Sequence, residues 1–334
     1  MRSTAFLLIF ALIPAASGCR VLGPFSPLRP VEQLLIYPQS VAPSSPPHEG
    51  AGGQQVWVET ENGHQLDARY FAHPSPQAVA LYCHGNLGTV DKWAVLAGRL
   101  SRMHRLSILV FDYRGFGRSS GLANEQGILR DAEAARTWLA RENGIQPSEV
   151  VLIGRSLGGA VAVDLAANGG ARGLILESTF PSLPEVAERH VAWLLPSWNM
   201  TQRLNSVEKI KHYSGPLLQS HGDADRLIPL SLGKELFDAA PGAKQFIVVP
   251  DFTHNEDHIR YCAAEREQFL RRLPPPRSLA GRPPAAHFHL VEGRRTVGQT
   301  PPHSEALADR FSLPLDLCSD QNGSMDSGAA LIRR

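Results

Sequence analysis

The chain has 334 residues, 43% hydrophobic and 19% charged, with a formal net charge of +1. That length allows one large domain or two small ones around a sizeable core. The near-neutral balance argues against a nucleic-acid partner. The four cysteines, Cys19, Cys83, Cys262 and Cys318, form no C-x-x-C and no metal-ligand spacing, so neither a metal site nor a disulfide framework is expected. Cys83 lies in an apolar run and reads as a small buried hydrophobe.

At the N-terminus, Arg2 precedes the apolar run Ala5 to Ile13, and Pro14 is followed by Ala15-Ala16-Ser17-Gly18-Cys19. A charged start, a short apolar core and a small-residue end make residues 1–18 a secretory signal. The run is about half the ~20 residues a spanning helix needs. Because the small residues end on a cysteine, the segment resembles a bacterial lipoprotein signal, with Ala16 where that family usually has leucine. The resemblance implies a lipidated Cys19 and an exported protein anchored to a membrane of the cell envelope. A plain cleaved signal and an uncleaved anchor are the alternatives.

Residues 19–55 are rich in Pro, Gly and Ser and read as a tether, with a short docking segment at Leu34-Leu35-Ile36-Tyr37. Val56–Thr60 and Gln65–Tyr70 flank Glu61-Asn62-Gly63, a hairpin signal, since Asn and Gly both tolerate positive φ. Apolar strands are then expected at 78–83, 107–111, 150–153, 173–176, 216–218 and 245–249. They alternate with helical periodicity at 90–102, 127–143, 157–167, 232–239 and 258–272. This alternation implies a mostly parallel sheet covered on both faces. Residues 181–213 break it and carry Trp193, Leu194, Leu195 and Trp198, which reads as a lid insert or as a long connection on the rim. Residues 274–334 open on Pro274-Pro275-Pro276, lack sustained periodicity and are expected to be a disordered tail.

The strand at 150–153 runs into Gly154-Arg155-Ser156-Leu157-Gly158-Gly159 and then an apolar helix. This is G-x-S-x-G in its strand–turn–helix context. A serine on so sharp a turn is lifted above the sheet, and side chains at 154 and 158 would collide with neighbouring backbone. Ser156 is therefore the candidate nucleophile. Candidate acids after later strands are Asp225, its neighbour Asp223, and Glu177. Candidate bases are His254, His190, His212 and His258. His254 alone falls between the last strand and the last helix. His84, at the end of the strand 78–83, reads as a residue of loop shape rather than chemistry. Gly115-Phe116-Gly117 is not a dinucleotide fingerprint, because Gly121 comes one residue too late.

His84-Gly85-Asn86, Phe111-Asp112-Tyr113-Arg114-Gly115-Phe116-Gly117-Arg118-Ser119, Gly154 to Gly159, and His221 to Pro229 together resemble the α/β-hydrolase superfamily over residues 56–273. They look most like its serine aminopeptidase-like and abhydrolase-domain branch. The resemblance implies an α/β-hydrolase fold: a mostly parallel twisted sheet, helices on both faces and a short helical lid. It implies the chain order Ser156, Asp225, His254, with the second acid of H-G-x-x-D-x-x-I-P taking the role, and an oxyanion hole from the backbone N–H groups of Asn86 and Leu157. Asp251 stands where that family commonly has glycine, three residues before the histidine. The expected function is hydrolysis of a carboxylic ester or thioester through an acyl-enzyme, acting on a small-molecule or acylated substrate without metal or organic cofactor. A peptidase or amidase with the same residues, and a non-catalytic lipid-anchored binding protein, are the alternatives.

Overall fold

In the computed structural model, residues 29–38, 52–191 and 197–274 are described. The signal segment, Cys19, most of the tether, Trp193 to Leu195 of the insert, and the tail beyond Pro274 lie outside them. Strands β1 (Gln54–Glu59), β2 (Gln65–Phe71), β3 (Ala78–Cys83), β4 (Leu106–Phe111), β5 (Val151–Arg155), β6 (Gly173–Glu177), β7 (Leu217–Gly222) and β8 (Lys244–Val249) form one sheet. Its order is β1-β2-β4-β3-β5-β6-β7-β8. β1 and β2 are antiparallel, β2 runs antiparallel to β4, and the rest are parallel.

The strands divide their side chains by the two-residue period of a pleated strand. In β3, Val79, Leu81 and Cys83 face one layer, and Ala78, Ala80 and Tyr82 face the other. The first layer is completed by α3 (Glu125–Asn143), α4 (Leu157–Gly169), α6 (Ser206–Ile210) and α7 (Leu230–Ala239). The second is completed by α2 (Val90–His104) and α8 (Ala263–Arg272). The central strands are buried on both faces, which is why they read as continuous apolar runs.

Three local readings are adjusted. At the hairpin, Gly63 takes positive φ (+74°) and Asn62 does not, and Thr60 closes the loop by pairing with His64 and Gly63. Helix α3 starts before Gly127 because the Asn124 side chain accepts the Gly127 N–H at 2.9 Å. Helix α8 begins at Ala263, not His258, because Asp257 Oδ1 captures the Ile259 N–H at 2.8 Å and bends the chain into turns.

Within the segment read as tether, Arg29–Ile36 forms a helix, α1. Its Glu32 is fully buried and accepts from Thr201 N, Thr201 Oγ1 and Gln202 N. Tyr37 is buried beside it and donates to Gln202 Oε1 at 3.1 Å. The insert contains α5 (Leu183–His190), a 3-10 turn at Ser197–Asn199, and α6. Trp198 is 81% exposed there.

Candidate active site

Ser156 joins β5 to α4 with φ +52° and ψ −118°, a conformation that only a surrounding lock sustains in a non-glycine residue. The lock is visible. Ser156 N–H donates to Glu177 O at 3.0 Å, and Ser156 O accepts from Gly159 N and Thr179 Oγ1, each at 2.9 Å. The glycines are required by contact. A Cβ on Gly154 would lie 2.4 Å from Gly158 O, and one on Gly158 would lie 2.0 Å from Cys83 O. Cys83 itself is buried with its thiol pushed up by burial, as a packing residue.

Ser156, His254 and Asp225 form one hydrogen-bonded chain. His254 Nδ1 lies 2.8 Å from Asp225 Oδ2, and His254 Nε2 lies 3.0 Å from Ser156 Oγ. With Nδ1 donating to the carboxylate, Nε2 is left as acceptor for the serine hydroxyl. Asp225 is itself fixed: its Oδ1 accepts the N–H groups of Leu227 (3.0 Å) and Ile228 (2.8 Å). Burial pushes its carboxyl up, but His221 and His254 outweigh that and hold it well below the usual carboxylate range. His221 is buried against this loop, its Nε2 2.7 Å from Ile228 O and 3.5 Å from Asp225 Oδ2.

The competing residues go elsewhere. Asp223 is exposed, and its Oδ1 accepts the Asp251 N–H at 2.7 Å. Asp251 has φ +61°, so the turn where the family commonly has glycine keeps a glycine's conformation with an aspartate in it. Glu177 is 1% exposed and bonded to Arg266 at 2.7 Å rather than to a histidine. His258 is fully buried, its Nδ1 2.9 Å from Ser220 Oγ. Burial, with the Arg155 and Arg266 charges, takes its pKa down to about 4 despite Glu177. His212 is exposed after α6, and His190, at the end of α5, sits 2.8 Å from Leu227 O.

The loop after β3 lies against the elbow. A Cβ on Gly85 would meet Ser156 Cβ at 3.6 Å, and Asn86 comes next in the chain. His84, fully buried, braces this loop with Nδ1 2.6 Å from Gly85 O and Nε2 3.2 Å from Asp112 Oδ1. Trp93 Nε1 donates to Leu87 O at 3.0 Å, and Asp112 Oδ1 accepts the Val90 N–H at 2.7 Å. Leu157 is the first residue of α4, where backbone N–H groups have no partner within the helix.

Two residues at the site were given no role by the sequence. Arg155, the variable residue of G-x-S-x-G, is 5% exposed and donates to His254 O and Glu256 O, both at 2.8 Å. Arg266 is 1% exposed and donates to Ile259 O at 3.2 Å. A signal was present for each. Arg155 ends an apolar strand, and Arg266 shares a helix face with Phe269 and Leu270. A charged residue in either place must be paired.

A family model described as the alpha/beta hydrolase fold matches residues 81–209. An uncharacterized protein of Mycobacterium tuberculosis (strain ATCC 25618 / H37Rv) is 36% identical over 229 residues, covering 68% of this chain and 81% of that protein. The lysophosphatidylserine lipase ABHD12 of Macaca fascicularis is 30% identical over 66% of this chain and 56% of its own length. Among solved structures, an esterase of Pyrococcus furiosus superposes with a TM-score of 0.59 at 18% identity, over 69% of this chain and 97% of that one. An alpha-beta hydrolase of Vibrio vulnificus does so with a TM-score of 0.59 at 20% identity, over 74% of this chain and 94% of that one. The sheet order, the elbow and the relatives agree: the chain belongs to the alpha/beta hydrolase family.

Proposed function

We propose that the protein is a serine hydrolase that cleaves a carboxylic ester or thioester through an acyl-enzyme. The observation that carries the proposal is the continuous chain from Ser156 Oγ to His254 Nε2 (3.0 Å) and from His254 Nδ1 to Asp225 Oδ2 (2.8 Å). A serine hydroxyl alone is a poor nucleophile at neutral pH. His254 takes its proton as Oγ attacks the acyl carbon, then delivers that proton to the leaving oxygen or sulfur. Asp225 holds the imidazole in the required tautomer and stabilises its charged form. The N–H groups of Asn86 and Leu157 are assigned to the oxyanion, and each such donor is worth about 3 kcal/mol of barrier. Water, activated by the same histidine, releases the acid.

Esters or thioesters are favoured over peptides because the relative named above is a lipase and the structural neighbour an esterase. The N-terminal sequence supports an exported protein held at a membrane through lipidated Cys19, which would bring it to acylated substrates.

A serine-directed fluorophosphonate probe tests the proposal. Wild type is expected to be labelled at Ser156, and Ser156→Ala is not. Equal labelling of both defeats the mechanism. Acyl esters of graded chain length then define the substrate, and a preference for longer apolar acyl groups is expected if the insert acts as a lid. Mass spectrometry of the mature N-terminus, with acylated Cys19 expected, tests the anchor.

A further inference from the structure

The loop that carries His254 has no regular structure between β8 and α8. A base on such a loop needs external restraint, because a reacting group misplaced by about 1 Å loses rate steeply. We propose that Arg155 and Arg266 are positioning residues for His254, gripping main-chain carbonyls of its loop with Glu177 as their shared counter-ion. The inference rests on the reading of Ser156, His254 and Asp225 given above.

The geometry is a clamp built on two neighbouring strand ends. Arg155 closes β5 and Glu177 closes β6, and the two are partners in the sheet register. Nη2 of Arg155 reaches both His254 O and Glu256 O at 2.8 Å. Its guanidinium carbon lies 5.9 Å from the centre of the Trp93 ring, and its Nη1 is 3.9 Å from Glu177 Oε2, an ion-pair distance rather than a hydrogen bond. Arg266 comes from α8. Its Nη2 bonds Glu177 Oε1 at 2.7 Å, while its Nη1 holds Ile259 O at 3.2 Å. The loop is thus tied at 254, 256 and 259 to one buried carboxylate at the end of β6. Arginine suits this task because its rigid fork offers several donors at fixed angles, whereas lysine offers a single point charge. Arg155 meets His254 through the backbone oxygen, so its effect on the reaction runs through where the imidazole sits.

The experiment is a double-mutant cycle between Arg155→Met and His254→Ala, read with p-nitrophenyl butyrate and with the rate of fluorophosphonate labelling at Ser156. Arg155→Met alone is expected to lower kcat and the labelling rate by about 10- to 100-fold, with KM changed less than about twofold. Arg155→Lys is expected to recover part of the loss. In the His254→Ala background, Arg155→Met is expected to cost less than about twofold, because the group it positions is gone. An equal loss in both backgrounds, or no loss in wild type, overturns the inference. Thermal unfolding shows whether each variant is folded at the assay temperature, and Arg155→Lys carries the cycle if Arg155→Met is not. The underlying reading fails separately: if His254→Ala alone leaves both rates unchanged, the base is wrongly assigned whatever Arg155 does.

Discussion

Asp223 Oδ1 accepts the backbone N–H of Asp251 at 2.7 Å, so the acid two residues before Asp225 braces the turn that leads to His254. Two neighbouring carboxylates therefore have separable effects. Asp225→Asn is expected to reduce kcat for ester hydrolysis by about 10⁴-fold, since the imidazole loses its tautomer-fixing partner. Asp223→Asn is expected to keep kcat within about tenfold and to cost about 1 kcal/mol in denaturant unfolding. Steady-state kinetics and urea titrations on both variants check this pair of outcomes.

Asp251 itself holds φ +61°. Asp251→Gly removes the steric cost of that conformation and is expected to raise stability by up to about 1 kcal/mol with activity unchanged. A lowered urea midpoint would mean that the aspartate side chain contributes more than its backbone strain costs.

The elbow glycines differ from the hairpin glycine in kind. Gly158→Ala places a Cβ 2.0 Å from Cys83 O, a strand backbone atom without room to retreat. It is expected to destabilise by more than about 4 kcal/mol or to prevent folding. Gly63 has φ +74° and nothing within 4 Å, so Gly63→Ala is expected to cost about 1 kcal/mol of backbone strain alone. Soluble yield and unfolding midpoints distinguish the two.

His258 gives stability a pH dependence of defined sign. Its pKa falls from 6.5 to about 4 in the folded protein, so the unfolded chain binds the extra proton first. Stability is full above the unfolded pKa, declines as pH falls through 6.5, and levels off below about 4. The drop is about 3 kcal/mol. Asp225 is shifted down as well, so its contribution is present above the ordinary carboxylate range and is lost at still lower pH, beneath the His258 window. Urea unfolding of His258→Gln should show a shallower decline between pH 6.5 and 4. Curves for the two proteins that remain parallel across that window would show that other groups set the slope.

Glu32 of α1 accepts three hydrogen bonds from Thr201 and Gln202 while fully buried. Glu32→Ala removes the acceptor of the Thr201 and Gln202 N–H groups, of which the second is buried, and is expected to cost about 2–4 kcal/mol. Limited proteolysis is expected to cut faster between residues 197 and 203, where α1 holds Thr201 and Gln202.

The sheet was legible because its inner strands are buried on both faces, leaving uninterrupted apolar runs such as Val79 to Cys83 bounded by polar turns. The elbow was legible because only glycine fits at 154 and 158. What the sequence hid has physical reasons. Glu177 and Asp225 both follow strands, and nothing local says that one faces an imidazole and the other two guanidinium groups. The partners of Arg155 are backbone oxygens about 100 positions away, which leave no mark on side-chain identity. The apolar patch at 34–37 marks a docking segment, but does not show that an eight-residue helix carries it or that it is seated on Glu32, a residue type that is mostly exposed.

The clamp on the histidine loop recognises oxygens that every residue carries. Its grip is indifferent to what side chains stand at 254, 256 and 259. Selection is therefore free to rewrite the loop's outer surface without moving the group proposed as base. Drift at Asn255 and Arg260 should be well tolerated across descendants of this chain, whereas Arg155, Glu177 and Arg266 should change only together.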